Sequence, residues 1–206
     1  MSERASPINP TATAAGLVDL RAPEPGTITL RAIAQGLSQI HRWAGATIRP
    51  VSVAQHSLLV LELYRRMYPT APEGAVYAGL HDAHEYLIGD VTTPTLLLIS
   101  EGAPGAWGAL DAAKARFDAV IFAALGLPFP AAALRGAVAE ADALAAHLEW
   151  LKLMPTACGP SPFAEVGARW TRILPPIISS APWPQAAEAF EAAIAAELHR
   201  LNWEVV

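Results

Sequence analysis

The sequence predicts an all-α fold, a single helical bundle, and three observations carry that reading. Apolar residues recur three and four positions apart in successive segments, no stretch alternates apolar and polar residues as a half-buried strand does, and Pro or Gly punctuates the segment ends. With 206 residues, 53% of them hydrophobic and 16% charged, the chain is large enough for one core and far from the composition of a disordered protein.

Residues 1–29 are rich in Pro, Thr and small side chains and read as an irregular N-terminal arm, with a short hairpin expected around Pro25-Gly26. A first helix begins at Leu30 with Ile33, Leu37 and Ile40 on one side, and the stretch from Gly45 to Pro50 closes it. Ser52-Val-Ala-Gln55 has the form of a capping box that opens a second helix to about Tyr68. Pro69 and Pro72 break the chain. The run from Glu73 to about Ile88 is then expected as one helix, with Ala75, Val76, Gly79 and Leu80 as its packed side and Gly89 as its end.

A Pro/Thr loop with a short apolar run follows, then a helix from about Ala109 to Leu125 with Leu110, Phe117, Val120 and Ile121 inward and Gly126 as C-cap. Another helix runs from Pro130 through Met154, and a last one from Pro184 through Leu201 with Phe190, Ile194 and Leu198 as its stripe. The organisation expected is an arm (1–29), a helical core (30–155) and a C-terminal loop and helix packed on it (156–206).

Composition and spacing narrow the chemistry. A net charge of -5, with Lys114 and Lys152 as the two lysines, leaves no basic stripe for duplex nucleic acid. One cysteine, Cys158, excludes an internal disulfide or thiolate cage, and the N-terminus lacks the apolar region of a signal peptide, so a cytoplasmic protein without membrane association is expected. There is no Gly-x-x-x-x-Gly-Lys and no dinucleotide fingerprint. His84-Glu85 lacks the second histidine of a zinc-protease helix because position 88 is Ile88, and no Gly-x-Ser-x-Gly is present.

What remains is the doublet His81-Asp82 in the middle of a predicted helix with an apolar opposite side. A buried charge there needs a partner, and a metal ion is one. His56 lies one turn into the second helix on the side of Val53 and Val60, and Asp142 lies between Val138 and Ala145-Ala146; each is polar within an apolar stripe. His56, His81, Asp82 and Asp142 together make a two-nitrogen, two-oxygen shell suited to one divalent Mn, Co, Zn, Fe, Ni or Mg ion. His41, His84, His147 and His199 are read as ordinary hydrogen-bonded core or boundary histidines. Trp107, Trp150, Trp170, Trp183 and Trp203 are read as core or subunit contacts.

The order His56, His81-Asp82, Asp142, all on predicted helices, resembles the HD superfamily of metal-dependent phosphohydrolases. Arg42-Trp43, Val53-Ala-Gln-His-Ser57, Leu80-His-Asp-Ala-His-Glu85 and Gly89-Asp90 are similar to segments of bacterial 5′-deoxynucleotidases and of phage-type deoxynucleotide triphosphohydrolases, a likeness covering roughly residues 30–155.

The resemblance implies catalytic roles for Glu85 as the base acting on water and for Asp90 as a proton donor. It implies substrate binding by Arg42, a planar fork for phosphate, and by Trp43, a wall for sugar or base. It also implies a small nucleotide substrate and, with the apolar faces, a homo-oligomer. The activity expected is release of orthophosphate from deoxynucleoside monophosphates. The alternatives are triphosphate release from deoxynucleoside triphosphates, a non-catalytic nucleotide-binding module, and hydrolysis of a guanosine alarmone. Two departures stand out: relatives often carry Glu where this chain has Gln55, and Thr92-Thr-Pro-Thr-Leu96 is not followed by the lysine common there, for which Lys114 or Arg116 would have to substitute.

Overall fold

The computed structural model describes residues 10–173 and 178–201. They form an all-α domain around α2 (Val53–Met67), whose inward residues Val53, Ala54, Val60, Leu63 and Tyr64 are sealed from solvent. Around α2 pack α1 (Leu30–Gln39), α3 (Ala75–Leu80), α7 (Ala132–Leu153) and α9 (Trp183–Arg200). The predicted capping box is present in full: the Ser52 hydroxyl accepts from the Gln55 amide, and the Gln55 side chain reaches back to the Ser52 amide. This fixes the first turn of α2 and with it the placement of His56, its fourth residue.

In α9, Phe190, Ile194 and Leu198 are fully buried as expected, chiefly against α1. Gly79 lets α3 approach closely, since a Cβ there would come within 2.5 Å of Ile194 Cδ1 and 2.9 Å of Leu61 Cδ1. Glu197, sealed within α9, is held by ion pairs from Arg65 and Arg200.

Several sequence expectations change. The arm contains an antiparallel hairpin, β1 (Pro10–Thr13) with β2 (Gly16–Asp19), paired Thr13 to Gly16, whereas Pro25–Thr27 is a 3-10 turn. The run after Thr92 is a helix, α5 (Thr93–Gly102), with Pro94 in its first turn; it packs on α6 (Ala106–Ala124) and leaves Leu97, Leu98 and Ile99 exposed.

Within α6, Phe117 and Ile121 are buried while Leu110 and Val120 are only half-buried. Most consequentially, the expected helix over 73–88 is two short helices, α3 and α4 (Glu85–Ile88), joined by the turn 81–84. There the amides of Ala83, Glu85, Tyr86 and Leu87 bond carbonyls three residues back, which tightens the chain and turns the His81-Asp82 doublet out of a continuous helix. Gly89, at φ 77°, ends α4 as expected, and Gly126, at φ 71°, follows α6.

The remaining helix is α8 (Ala164–Arg169), packed on α7. Trp107 and Trp183 are exposed rather than core residues, and Trp203 lies outside the described residues. Among the described residues, no helix is long and apolar enough to cross a membrane.

Candidate metal centre

Three elements bring the predicted ligands together: α2 carries His56, the 81–84 turn carries His81 and Asp82, and α7 carries Asp142. His56 Nε2 lies 3.0 Å from Asp142 Oδ1 and 3.9 Å from Asp82 Oδ2. His81 Nε2 lies 3.0 Å from Asp82 Oδ2 and 3.7 Å from Asp142 Oδ1. Ligating atoms of His56, His81 and Asp82 are all within 4.8 Å of one another, and Asp142 closes the group from its more solvent-open side.

The orientation of both imidazoles is set from behind. His81 Nδ1 donates to the Ala78 carbonyl at 2.9 Å, and His56 Nδ1 bonds Glu149 Oε1 at 2.8 Å. A carbonyl and a carboxylate accept only, so both rings carry hydrogen on Nδ1 and present Nε2 inward, the arrangement of a histidine prepared to ligate a metal. His81 Nε2 is buried, and despite its nearness to Asp82 it has no hydrogen-bond partner among the described residues. The donor set fits a divalent cation: two imidazole nitrogens and two carboxylates converge from three elements, with supporting contacts in place.

Electrostatics follow from this convergence. Burial alone would lower His81, but Asp82 and Asp142 raise it well above the ordinary imidazole range. His56 is raised in the same way, Glu149 and Asp142 outweighing burial and Arg42. The imidazoles in return overcome the burial of Asp142 and hold it well below the usual carboxylate range, and His81 does the same for Asp82.

Glu149 is the functional residue that the sequence reading missed. Fully buried on α7, it accepts from His56 Nδ1, from Trp43 Nε1 at 3.0 Å and from Arg42 Nε at 3.4 Å. Its signal was its position, seven residues after Asp142 and so two turns on along the same helical side.

Arg42 also reaches toward Asp82, at 3.8 Å, so its guanidinium spans the ligand set and its support. Trp43 and Ala44 adopt left-handed backbone, φ 58° and φ 50°, a conformation costly for non-glycine residues that angles the indole onto Glu149. The Trp43 ring packs edge-on against Trp150 and Phe163.

Glu85 and Asp90 flank the cluster. Glu85 is not one turn after His81 in a continuous helix, as expected, but is the first residue of α4, reached through the tight turn. Burial, then Asp82 and Asp90, push its carboxyl up to about 8. Asp90 is also raised, chiefly by burial. Lys114 lies near enough to both to oppose these shifts, whereas Arg116 is directed at the Leu20 carbonyl.

Among the histidines read as structural, His147 bonds Ser161 and His84 bonds Asp118, while His41 and His199 are exposed.

No family model matches the chain. It is 39% identical over 137 residues to an uncharacterized protein of Rhodobacter capsulatus, and the match spans 64% of this chain and 66% of that protein's length.

Proposed function

We propose that the protein is a metal-dependent phosphohydrolase of the HD type, acting on the phosphate of a deoxynucleotide and releasing orthophosphate from 5′-monophosphates. The observation that carries this reading is the pair of imidazoles with anchored Nδ1 atoms and converging Nε2 atoms, facing two carboxylates. His56, His81, Asp82 and Asp142 are the residues that would hold the cation. A divalent ion there supplies Lewis acidity to a phosphate oxygen and acidifies water toward neutral pH.

The chain's own groups supply the rest. The guanidinium of Arg42 binds phosphate through the hydrogens not engaged by Glu149 and Asp82. Glu85, a carboxylate of raised basicity, takes the proton that water loses as its oxygen bonds to phosphorus. The bond broken is the one from phosphorus to the 5′ oxygen, and Asp90 returns a proton to that oxygen as the nucleoside leaves. Two carboxyl groups with raised proton affinity beside a ligand cluster fit this division of labour. Trp43, fixed through Glu149, forms the wall against the sugar and fills the space a 2′-hydroxyl would need. A homo-oligomer belongs to the same reading, and sedimentation of the full chain tests it.

The test is product identification across ribo- and deoxynucleotides with several divalent ions, using His81→Ala as control. Orthophosphate and nucleoside from deoxynucleoside monophosphates, lost in the variant, sustain the proposal. Tripolyphosphate from triphosphates replaces the substrate, binding without turnover replaces the enzyme by a binding module, and undiminished activity in His81→Ala removes the mechanism.

A further inference from the structure

Four of the large apolar side chains left exposed lie between positions 97 and 107: Leu97, Leu98 and Ile99 of α5 and Trp107 of α6, at 57%, 68%, 48% and 40% exposure. Within α5 only Leu96 is buried, and the helix packs chiefly on α6. Leu110, half-buried, follows Trp107 by three residues and so shares its side of α6. Residues 93–110 carry a single charged side chain, Glu101.

Successive helical residues are about 100° apart, so Leu97, Leu98 and Ile99 spread over about 200° of the α5 surface. One flat contact cannot cover that arc, whereas two neighbouring helices can. The four side chains leave on the order of 400 Å² of apolar surface in water, the size at which an exposed patch marks an interaction surface.

We infer that the α5–α6 hairpin is the face on which a second copy of this chain docks, the two hairpins forming a four-helix bundle about a two-fold axis. The inference deepens the homo-oligomer that accompanies the proposed function by giving it a surface, and it does not depend on the chemistry at the cation site. Stable interfaces take about 800 Å² from each partner, roughly 60% of it apolar, and the four side chains furnish most of that share.

Charge fits the same occupant. Two copies with a net charge of -5 repel, and a stretch of eighteen residues with one charge is where they can meet at least cost. The centre of α5 falls between Leu97 and Leu98. With the axis there and the two helices antiparallel, Leu97 meets Leu98 of the partner subunit, and Glu101 comes over the first turn of the partner's α5. That turn lacks a side-chain cap: the Thr92 hydroxyl bonds the Thr95 hydroxyl at 2.8 Å and accepts from no amide of the helix. The single carboxylate of the hairpin therefore meets unpaired amides and the positive end of a helix.

Sedimentation equilibrium of the full chain, beside Leu97→Lys and Leu98→Glu, tests this. Both positions are exposed, and circular dichroism checks that each variant keeps its helical content. A dimeric wild type, two monomeric single variants, and a dimer recovered when the two variants are mixed in equal amounts are expected, since Lys and Glu then face each other beside the axis.

A dimer that persists undiminished in both folded variants overturns this surface and leaves the homo-oligomer standing. Two monomeric variants that do not associate on mixing overturn the antiparallel pairing. A wild type that stays monomeric across the micromolar range overturns both the surface and the homo-oligomer; if that monomer sediments with phosphatidylcholine vesicles and Leu98→Glu does not, the face belongs to a lipid surface instead. None of these results touches the phosphohydrolase reading, which orthophosphate release decides separately.

Discussion

His56 and Glu149 are joined by a 2.8 Å hydrogen bond from Nδ1 to Oε1, with both side chains completely sealed from solvent. This one contact ties α2 to α7, fixes the ring of a candidate ligand, and through the same carboxylate collects Arg42 and Trp43. The site is thus organised from behind by a residue that is not among its ligands.

Glu149→Gln should therefore weaken divalent-cation binding about 10- to 100-fold, the usual effect of losing a carboxylate behind a ligating histidine. Calorimetric titration of Mn²⁺ into folded variant and wild type checks this. Equal affinities would show that the Glu149 contact is not needed to orient His56.

The cation-free protein should lose stability as pH rises above the ordinary imidazole value. His56 and His81 both have raised folded-state values, so the folded protein holds these protons more tightly than the unfolded chain. The stabilisation is complete below 6.5 and is lost as pH climbs through the folded values. Glu85, pushed up to about 8, acts in the same direction. The lowered Asp82, Asp142 and Glu149 have the opposite sign, giving stability that is lost as pH falls through the carboxylate range.

Cation binding must expel the imidazole protons, so its affinity should rise with pH. Thermal melts from about pH 5 to about pH 9, with and without Mn²⁺, should give a midpoint that falls with pH in the free protein and a cation-induced gain that grows.

Gln55 makes contacts that a glutamate in its place could not. Besides closing the capping box, its Nε2 donates to Ser179 Oγ and to the Ala181 carbonyl, both at 3.3 Å. A carboxylate can donate to neither and would face the carbonyl. Gln55→Glu should destabilise the protein by about 1–3 kcal/mol, measured by denaturant unfolding, with the helix start otherwise retained.

Ala44, left-handed at φ 50°, is exposed. Ala44→Gly should relieve backbone strain and stabilise the fold by up to about 1 kcal/mol. Chemical denaturation checks the sign, and unchanged Mn²⁺ affinity is expected because Trp43 keeps its contact with Glu149.

Much of this was legible in the sequence where a local rule coincides with a tertiary need. Ser52 and Gln55 spell a cap whatever they pack against, the stripe of Phe190, Ile194 and Leu198 has helical spacing, and His56 and Asp142 betray themselves as polar residues within apolar stripes. The break at 81–84 was hidden because His81 and His84 keep right-handed helical dihedrals, with φ -59° and -57°, and only the hydrogen bonds shorten. No Gly or Pro marks it.

The hairpin was missed because its two-residue loop is Ala14-Ala15, without the Asn-Gly or Asp-Gly signal of tight turns. Glu149 was passed over because a glutamate on a helix is ordinarily a solvated residue, and its burial depends on three partners from distant parts of the chain.

The central claim is that His56, His81, Asp82 and Asp142 together bind a divalent cation. Mn²⁺ affinity of the wild type beside folded His81→Ala and Asp142→Asn variants tests it most directly. Saturable binding in the wild type that is lost in His81→Ala and sharply weakened in Asp142→Asn is the predicted result. Equal binding in all three, or none in the wild type, would contradict it.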